Sequence, residues 1–334
     1  MSKVSIRDVA THAGVSIATV SNVINNTRFV REETRNLVLK SIEELHYSPN
    51  ATARSFKTGK RNMIAFIVPD ISNPFFATLI EEVENVISRD GLSLLVINTK
   101  ETKKREIESL KRLSSGIVDG FLVASTLESY EEMYGIVPDG LPVVLVDRTL
   151  IGASYDTVTV ANYQAVCSGV EYLIKKGHEK IGFITGIPRI STTVERLEAY
   201  KDTMEKHHLY SDSLICTGTS MTSLVTDNLN ALIKQGCTAL VISNNLMAIE
   251  ALTILSQRGI RNEIELIGYK DSEQSQYGLQ HMSLICQPVV ELGRAAGKQL
   301  LERLKNPDMP VQKLLLQAEF QPAGGFAGFS ASEG

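Results

Sequence analysis

Tryptophan is absent from the 334 residues of this sequence, aromatic residues make up only 6% of it, and no run of eighteen apolar residues occurs. The last absence excludes a membrane-spanning helix, which needs about 20 consecutive apolar residues. The amino terminus, Met1 to Ala10, is polar and amphipathic, without the apolar stretch and small-residue cleavage site of a secretory signal. A cytoplasmic protein is expected. The four cysteines, Cys167, Cys216, Cys237 and Cys286, lie 21 to 49 residues apart, with no Cys-x-x-Cys and no clustered histidines. That spacing argues against a zinc site and leaves free core thiols as the expectation. Missing too are G-x-G-x-x-G, G-x-x-x-x-G-K-[ST] and G-x-S-x-G, the signatures of dinucleotide, phosphate and acyl-transfer sites. His178, within Lys176-Gly177-His178-Glu179-Lys180, is a general base by residue type only; it sits just before an apolar strand, where a structural role is expected. No catalytic residue, metal or cofactor is expected, and the sequence does not read as an enzyme.

What is present is an uneven distribution of charge. The whole chain carries −4, yet residues 1–61 hold ten Lys/Arg against five Asp/Glu, a net of +5, which leaves −9 for the rest. A basic segment on an acidic body is the electrostatic footprint of a DNA-binding module. The length suits two or three domains, and 43% hydrophobic with 22% charged residues is an ordinary globular balance.

Within the basic segment, Ser5-Ile6-Arg7-Asp8 has the form of a helix-starting capping box. Val9, Ala10 and Ala13 follow on one face, and Gly14 supplies a left-handed stop. Val15 turns inward, and Ser16 caps a second short helix with Val20, Val23 and Ile24 on its apolar face. Two helices about a glycine turn form the helix-turn-helix signature. The second helix leaves Ile17, Ala18, Thr19, Ser21 and Asn22 outward, where a purely structural helix would carry Lys and Glu. Short hydroxyl, amide and methyl groups suit close approach to base edges and phosphates in a major groove. A third helix runs from about Arg31 to Leu45, with Leu37, Val38, Ile42 and Leu45 expected to face the core.

After Gly59-Lys60-Arg61 the pattern becomes short apolar strands alternating with amphipathic helices. Strands are read at Met63–Val68, Leu92–Ile97, Gly120–Ala124, Val143–Val146, Ile181–Thr185, Ala239–Ile242 and Leu266–Ile267. Helices are read near 75–89, 103–113, 128–135, 162–176, 193–207, 223–235 and 246–258. Such units imply parallel sheets covered on both faces, with ligands at the carboxyl ends of the strands.

Val4-Ser5-Ile6-Arg7-Asp8-Val9-Ala10, Ala13-Gly14-Val15-Ser16, Thr19-Val20-Ser21 and Tyr47-Ser48-Pro49-Asn50-Ala51-Thr52-Ala53-Arg54-Ser55 together resemble the headpiece of the LacI/GalR (lactose-repressor) family, and the similarity continues along the chain. The resemblance implies a DNA-binding transcriptional regulator, expected to repress carbohydrate catabolic genes. It implies a small all-α helix-turn-helix headpiece plus an α/β two-lobed periplasmic-binding-protein-like domain built on doubly wound parallel sheets. By match, the headpiece is 1–48, a hinge helix and linker 49–60, and an effector-binding and dimerisation domain 61–334. Lobe one is then 61–159 plus 289–316, and lobe two 160–288 plus 317–326. Ile17, Ala18 and Asn22 would read bases, while Ser5, Ser16, Thr19, Ser21, Asn25, Thr34 and Tyr47 would hold phosphates. Residues 50–57 would form a hinge helix on operator DNA, with Asn50, Ala53 and Phe56 at the central minor groove. A homodimer would read a palindromic operator. The segment Gly324 to Gly334 has no leucine heptads, so a helical tetramerisation tail is not expected.

Two headpiece positions depart from the family pattern. Asn22 stands where arginine, a guanine reader, is usual, and an amide better matches adenine. Phe56 stands where a leucine usually wedges into the central base step; a flat ring remains an apolar wedge.

In the sensing domain the resemblance implies an effector site of Asp70, Phe75, Phe76, Asp147, Thr192, Arg196, Asn244 and Gln287, to which Lys270 is added. Asn245 and Lys270 replace two usual aspartates, a local charge change of +3. The sequence therefore leads to the expectation of an anionic sugar, such as an aldonate, uronate or keto-deoxy-aldonate, gripped by Arg196 and Lys270. A neutral sugar, a sugar phosphate or a phosphorylated carrier protein is the alternative signal. A sugar-binding protein or enzyme without a regulatory role is the remote one.

Overall fold

The computed structural model describes residues 4–25, 27–47, 60–218, 224–270 and 282–323. Residues Asn50, Ala53 and Phe56, and the rest of the expected hinge helix, lie outside them. The chain divides into two compact units, Met1–Arg61 and Asn62–Gly334.

The first unit holds helices α1 (Ile6–His12), α2 (Ile17–Asn25) and α3 (Glu32–Glu44). The capping box is complete: Ser5 N–H and Oγ each donate to Asp8 Oδ2 at 2.8 Å, and Asp8 N–H donates back to Ser5 Oγ at 3.4 Å. Those bonds hold the Asp8 carboxyl below its ordinary pKa, the backbone donor acting first. Gly14 follows with φ +66°, a conformation that costs glycine little. Val9, Ala10, Val20, Val23 and Val38 form the small core. Leu37 corrects the sequence reading, because it is 56% exposed. Val38, Ser41, Ile42 and Leu45 recur at helical spacing on the inner face of α3, and Leu37 is a residue out of that phase.

Among the described residues the second unit contains two six-stranded sheets. The first uses β1 (Met63–Val68), β2 (Ser93–Asn98), β3 (Gly120–Val123), β4 (Val143–Val146), β5 (Asp156–Ala161) and β11 (Lys313–Gln317), in the order β11-β5-β4-β3-β1-β2. All its pairings are parallel. The second uses β6 (Ile181–Thr185), β7 (Ile215–Thr217), β8 (Ala239–Ile242), β9 (Glu265–Lys270), β10 (Ser283–Cys286) and β12 (Glu319–Gln321), in the order β12-β10-β9-β8-β6-β7. Only β12 runs antiparallel, against β10. Helices cover both faces, so the central strands are buried throughout and read as continuous apolar runs, as in MIAFIV of β1.

The covering helices are α4 (Pro74–Ile87), α5 (Lys103–Leu113), α6 (Tyr163–Lys175), α7 (Ser191–Lys206), α8 (Leu224–Lys234), α9 (Asn245–Gln257) and α10 (Val289–Lys305). The helix read near 128–135 is absent. Tyr130–Glu132 makes a single 3₁₀ turn there, and Gly135 at φ +71° ends the stretch before an α-helix can develop. α10 packs on α4 with Gly293 and Gly297 against Leu79 and Val86, which ties it to the first sheet. Among the described residues the chain crosses between the sheets three times, at Asn162, at Gln287-Pro288 and at Ala318, each joint only one or two residues long. Among the described residues, no helix is long and apolar enough to cross a membrane.

Candidate effector cleft and nucleic-acid interface

On the headpiece, Ile17 is 42% exposed, Ala18 is exposed, and Thr19, Ser21 and Asn22 are half-exposed. Several hydroxyls expected at phosphates already shape the backbone. Ser16 Oγ accepts from Thr19 N–H at 3.0 Å and so caps α2. Asn25 Nδ2 donates to the Ser21 carbonyl at 2.8 Å, closing the last turn of the same helix. Thr27 Oγ1 donates to Asn22 Oδ1 at 3.0 Å, fixing the amide orientation with Nδ2 directed away from that bond. Thr34 lies half-buried in the first turn of α3, and Tyr47 packs half-buried against the small core. The exposed face of α2 thus presents methyl, hydroxyl and amide groups and no competing carboxylate.

In the second unit a cavity of about 90 Å³ lies between the carboxyl ends of the two sheets, against the ~10–15 Å³ that one water requires. Phe75, Phe76, Asp147, Thr192, Arg196, Asn244 and Gln287 all line it. Phe75 and Phe76 open α4, their rings edge-to-face at 5.0 Å. Asn73 caps that helix by accepting from Phe75 N–H at 3.0 Å, and Asn244 caps α9 by accepting from Met247 N–H at 2.8 Å. Both helix amino termini therefore face the cavity, where their free N–H groups favour electron-rich ligand atoms. Arg196, 9% exposed, stacks with its guanidinium carbon 4.1 Å from the centroid of Tyr269. Its Nη1 donates to the Ser243 carbonyl at 2.5 Å.

Two expected residues are not among the described residues of the wall. Asp70 turns its carboxylate back on its own loop, where Oδ1 accepts from Ser72 N–H at 2.9 Å and Ser72 Oγ at 2.7 Å. Lys270 follows Tyr269 on β9, and the pleat that sends the ring into the cavity sends the next side chain to the opposite face.

The sequence reading missed Glu101 and Arg148 on the wall. Arg148 donates from Nη2 to Glu101 Oε1 at 2.8 Å and from Nη1 to Glu101 Oε2 at 3.0 Å, a forked pair. It is also 5.8 Å from the Phe76 centroid. Its neighbour Asp147 adopts φ +65° and is 7% exposed. Burial pushes the Asp147 carboxyl above its ordinary pKa range, while Arg148 and Arg196 pull the other way. Behind them Glu106, fully buried, accepts from Thr126 N–H and Oγ1, both at 2.6 Å, and fixes the loop whose Ser125 carbonyl accepts from Arg148. A signal for Arg148 was available: it follows Asp147 at the carboxyl end of a buried parallel strand, where ligands bind. Glu101 had none, because its partner lies 47 residues away. Buried polar atoms without a hydrogen-bond partner gather here: Asn245 Oδ1 and Nδ2, Gln287 Nε2, Arg196 Nε and Arg148 Nε.

The model for bacterial regulatory proteins of the lacI family matches residues 5–50, and that for periplasmic binding proteins and the sugar binding domain of the LacI family matches residues 61–313. The HTH-type transcriptional repressor PurR of Haemophilus influenzae (strain PittEE) is 34% identical over 316 residues, 92% of this chain and 94% of that protein. The ribose operon repressor of Haemophilus influenzae is 31% identical over 324 residues, 94% of this chain and 96% of that one. The Lac repressor dimer bound to operator and the anti-inducer ONPF matches with a TM-score of 0.83 over 98% of this chain and 100% of that chain, at 20% identity, which shows a shared fold. The chain therefore belongs to the lacI family of bacterial regulatory proteins, as a DNA-binding regulator whose sensing domain has two α/β lobes.

Proposed function

We propose that this protein is a homodimeric repressor of carbohydrate catabolic genes, controlled by a small neutral polyhydroxylated ring bound between the two lobes. The observation that carries this reading is the cavity wall. Unpartnered amide and guanidinium atoms of Asn245, Gln287 and Arg196 stand beside the apolar faces of Phe75 and Phe76. An unsatisfied buried polar group costs roughly 1–3 kcal/mol, so a ligand offering both donors and acceptors gains by satisfying several together. The aromatic rings suit the C–H faces of a sugar. The 31% identical ribose operon repressor agrees with a sugar signal.

The sequence pointed to a sugar acid because Lys270 was counted beside Arg196. Among the described wall residues the formal charges are those of Arg148, Arg196, Asp147 and Glu101, two of each sign, so the surplus cation on which that expectation rested is missing. An anion entering such a site would lose its hydration while meeting as much negative as positive charge on the wall.

For DNA, Ile17, Ala18 and Asn22 are assigned to bases, and Ser5, Ser16, Thr19, Ser21, Asn25, Thr34 and Tyr47 to phosphates and their positioning. Residues 1–48, 49–60 and 61–334 are taken as headpiece, linker and sensing domain. The effector controls DNA binding by linkage: it shifts the lobe arrangement only as far as it binds one arrangement more tightly than the other. Thermal-shift screening of the full chain against neutral pentoses and hexoses, aldonates, uronates, sugar phosphates and nucleobases tests the effector. Saturating neutral sugar at about 100 times its Kd should stabilise by roughly 2.7 kcal/mol. Stabilisation by sugar acids alone would refute the neutral-ring reading. Operator selection from random DNA tests the rest, with a palindrome as the expected product.

A further inference from the structure

We infer that Glu101 is a specificity-determining residue of the effector cleft: it neutralises Arg148 and thereby makes the cavity reject anionic ligands that differ from the effector only by a carboxylate or phosphate. The inference rests on the neutral-ring reading above and adds the residue that enforces it. Arg148 and Arg196 both reach the cavity, one from each lobe, and two buried guanidiniums alone would form an anion site. Asp147 does not compensate both. Its closest approach to Arg148 is 3.6 Å, between Nε and Oδ2, so it leaves the fork of that guanidinium unmet. Glu101 meets the fork of Arg148 with both oxygens, at 2.8 and 3.0 Å, occupying the two N–H directions that a carboxylate ligand would use. It is an intramolecular occupant of an anion subsite.

The backbone supports this assignment. Glu101 and its neighbour Lys100 both adopt φ +52°, a conformation that side chains other than glycine, asparagine and aspartate seldom take. The Glu101 N–H donates to the Pro69 carbonyl at 3.1 Å, which pins the turn against the first sheet. Residues held in sparsely populated conformations over a ligand cavity persist because their surroundings enforce them, and such positions concentrate at functional sites. Here the enforced position delivers one carboxylate to one guanidinium. Arg148 Nε, in ion-pair range of Asp147 at 3.6 Å, has no hydrogen-bond partner and can donate to a ligand hydroxyl.

The test compares the wild-type full chain with Glu101→Gln, which keeps shape and one acceptor but removes the charge, and with Glu101→Asn, which also suits the left-handed backbone. Each is titrated with D-ribose, D-ribonate and inorganic phosphate, with melting temperature and isothermal calorimetry as readouts. Both variants should gain saturable stabilisation by ribonate or phosphate that the wild type lacks. The ratio of anion to neutral-sugar affinity should rise at least tenfold, which corresponds to 1.4 kcal/mol. Adding Arg148→Met to Glu101→Gln should abolish the gain. If either variant melts cooperatively and binds these anions no better than the wild type, the role assigned to Glu101 is wrong. If the wild type itself is stabilised by ribonate more than by ribose, the neutral-ring reading has failed, a result separable from the first because it appears before any substitution.

Discussion

Replacing Arg303 by methionine removes the positive half of an enclosed ion pair in the sensing domain and exposes how burial and charge trade off there. Asp156 opens β5 with a side chain fully shielded from solvent. It accepts from Arg303 Nη2 at 2.7 Å and Nε at 2.9 Å, from Gln312 N–H at 2.8 Å and from Gln299 Nε2 at 3.1 Å. The same arginine donates to the carbonyls of Pro307, Met309 and Pro310, so it fastens the turn between α10 and β11. Removing one member of a buried pair leaves the other uncompensated, and a loss of about 3–5 kcal/mol is expected. Burial pushes the Asp156 carboxyl upward, but the Arg303, Gln312 and Gln299 hydrogen bonds outweigh it and hold the pKa below the ordinary 3.8. A depressed folded-state pKa adds stability that is complete above the unfolded value and is lost as pH falls through the folded one. In Arg303→Met the largest hydrogen-bond contribution holding the carboxyl down is gone, the folded pKa rises, and protonation costs the variant less than the wild type. The difference between wild type and variant should therefore be full near pH 7 and shrink as pH falls below 3.8. Urea unfolding of both proteins at several pH values measures it. A difference under 1 kcal/mol at pH 7, or one that does not change with pH, would refute the reasoning.

Arg196→Lys keeps the charge but loses the planar stack on Tyr269, worth about 0.5–2 kcal/mol, together with the bond to Ser243; effector affinity should fall by roughly tenfold or more, read by calorimetry, while operator affinity without effector stays the same. Asn22→Arg should move the preferred base at the contacted position from adenine toward guanine by about 1–3 kcal/mol, read by selection from random DNA; an unchanged operator would show that Asn22 does not read a base.

Where a segment is buried on both faces, apolar runs alone located it: Met63–Val68, Val143–Val146, Ile181–Thr185 and Ala239–Ile242 occur as read. Strands with mixed or exposed surroundings escaped. β5, DTVTVA, starts on a buried aspartate satisfied only by residues near position 300, and β11, KLLLQ, is an edge strand with Leu314 and Leu315 largely exposed. β12 pairs antiparallel with β10 in an otherwise parallel sheet and has no apolar run of its own. The cleft shows the same division. Residues at strand ends and helix starts, such as Phe75, Asp147 and Asn244, converge because the fold brings those ends together. Lys270 did not follow, since one step along a strand reverses the direction of a side chain. The pairing of Glu101 with Arg148 depends on a turn that adopts left-handed dihedrals without a glycine to announce it.

The joint at Asn162 gives the cleft a mechanical character. The Asn162 and Tyr163 N–H groups both donate to Glu195 Oε1, at 2.9 and 3.2 Å, and Glu195 directly precedes Arg196 on α7. A single helix thus carries the arginine of the cavity wall and the carboxylate that holds the joint. A ligand that shifted Arg196 would, through that helix, shift the joint as well, and a rotation at the joint would grow into a larger displacement with distance along each lobe.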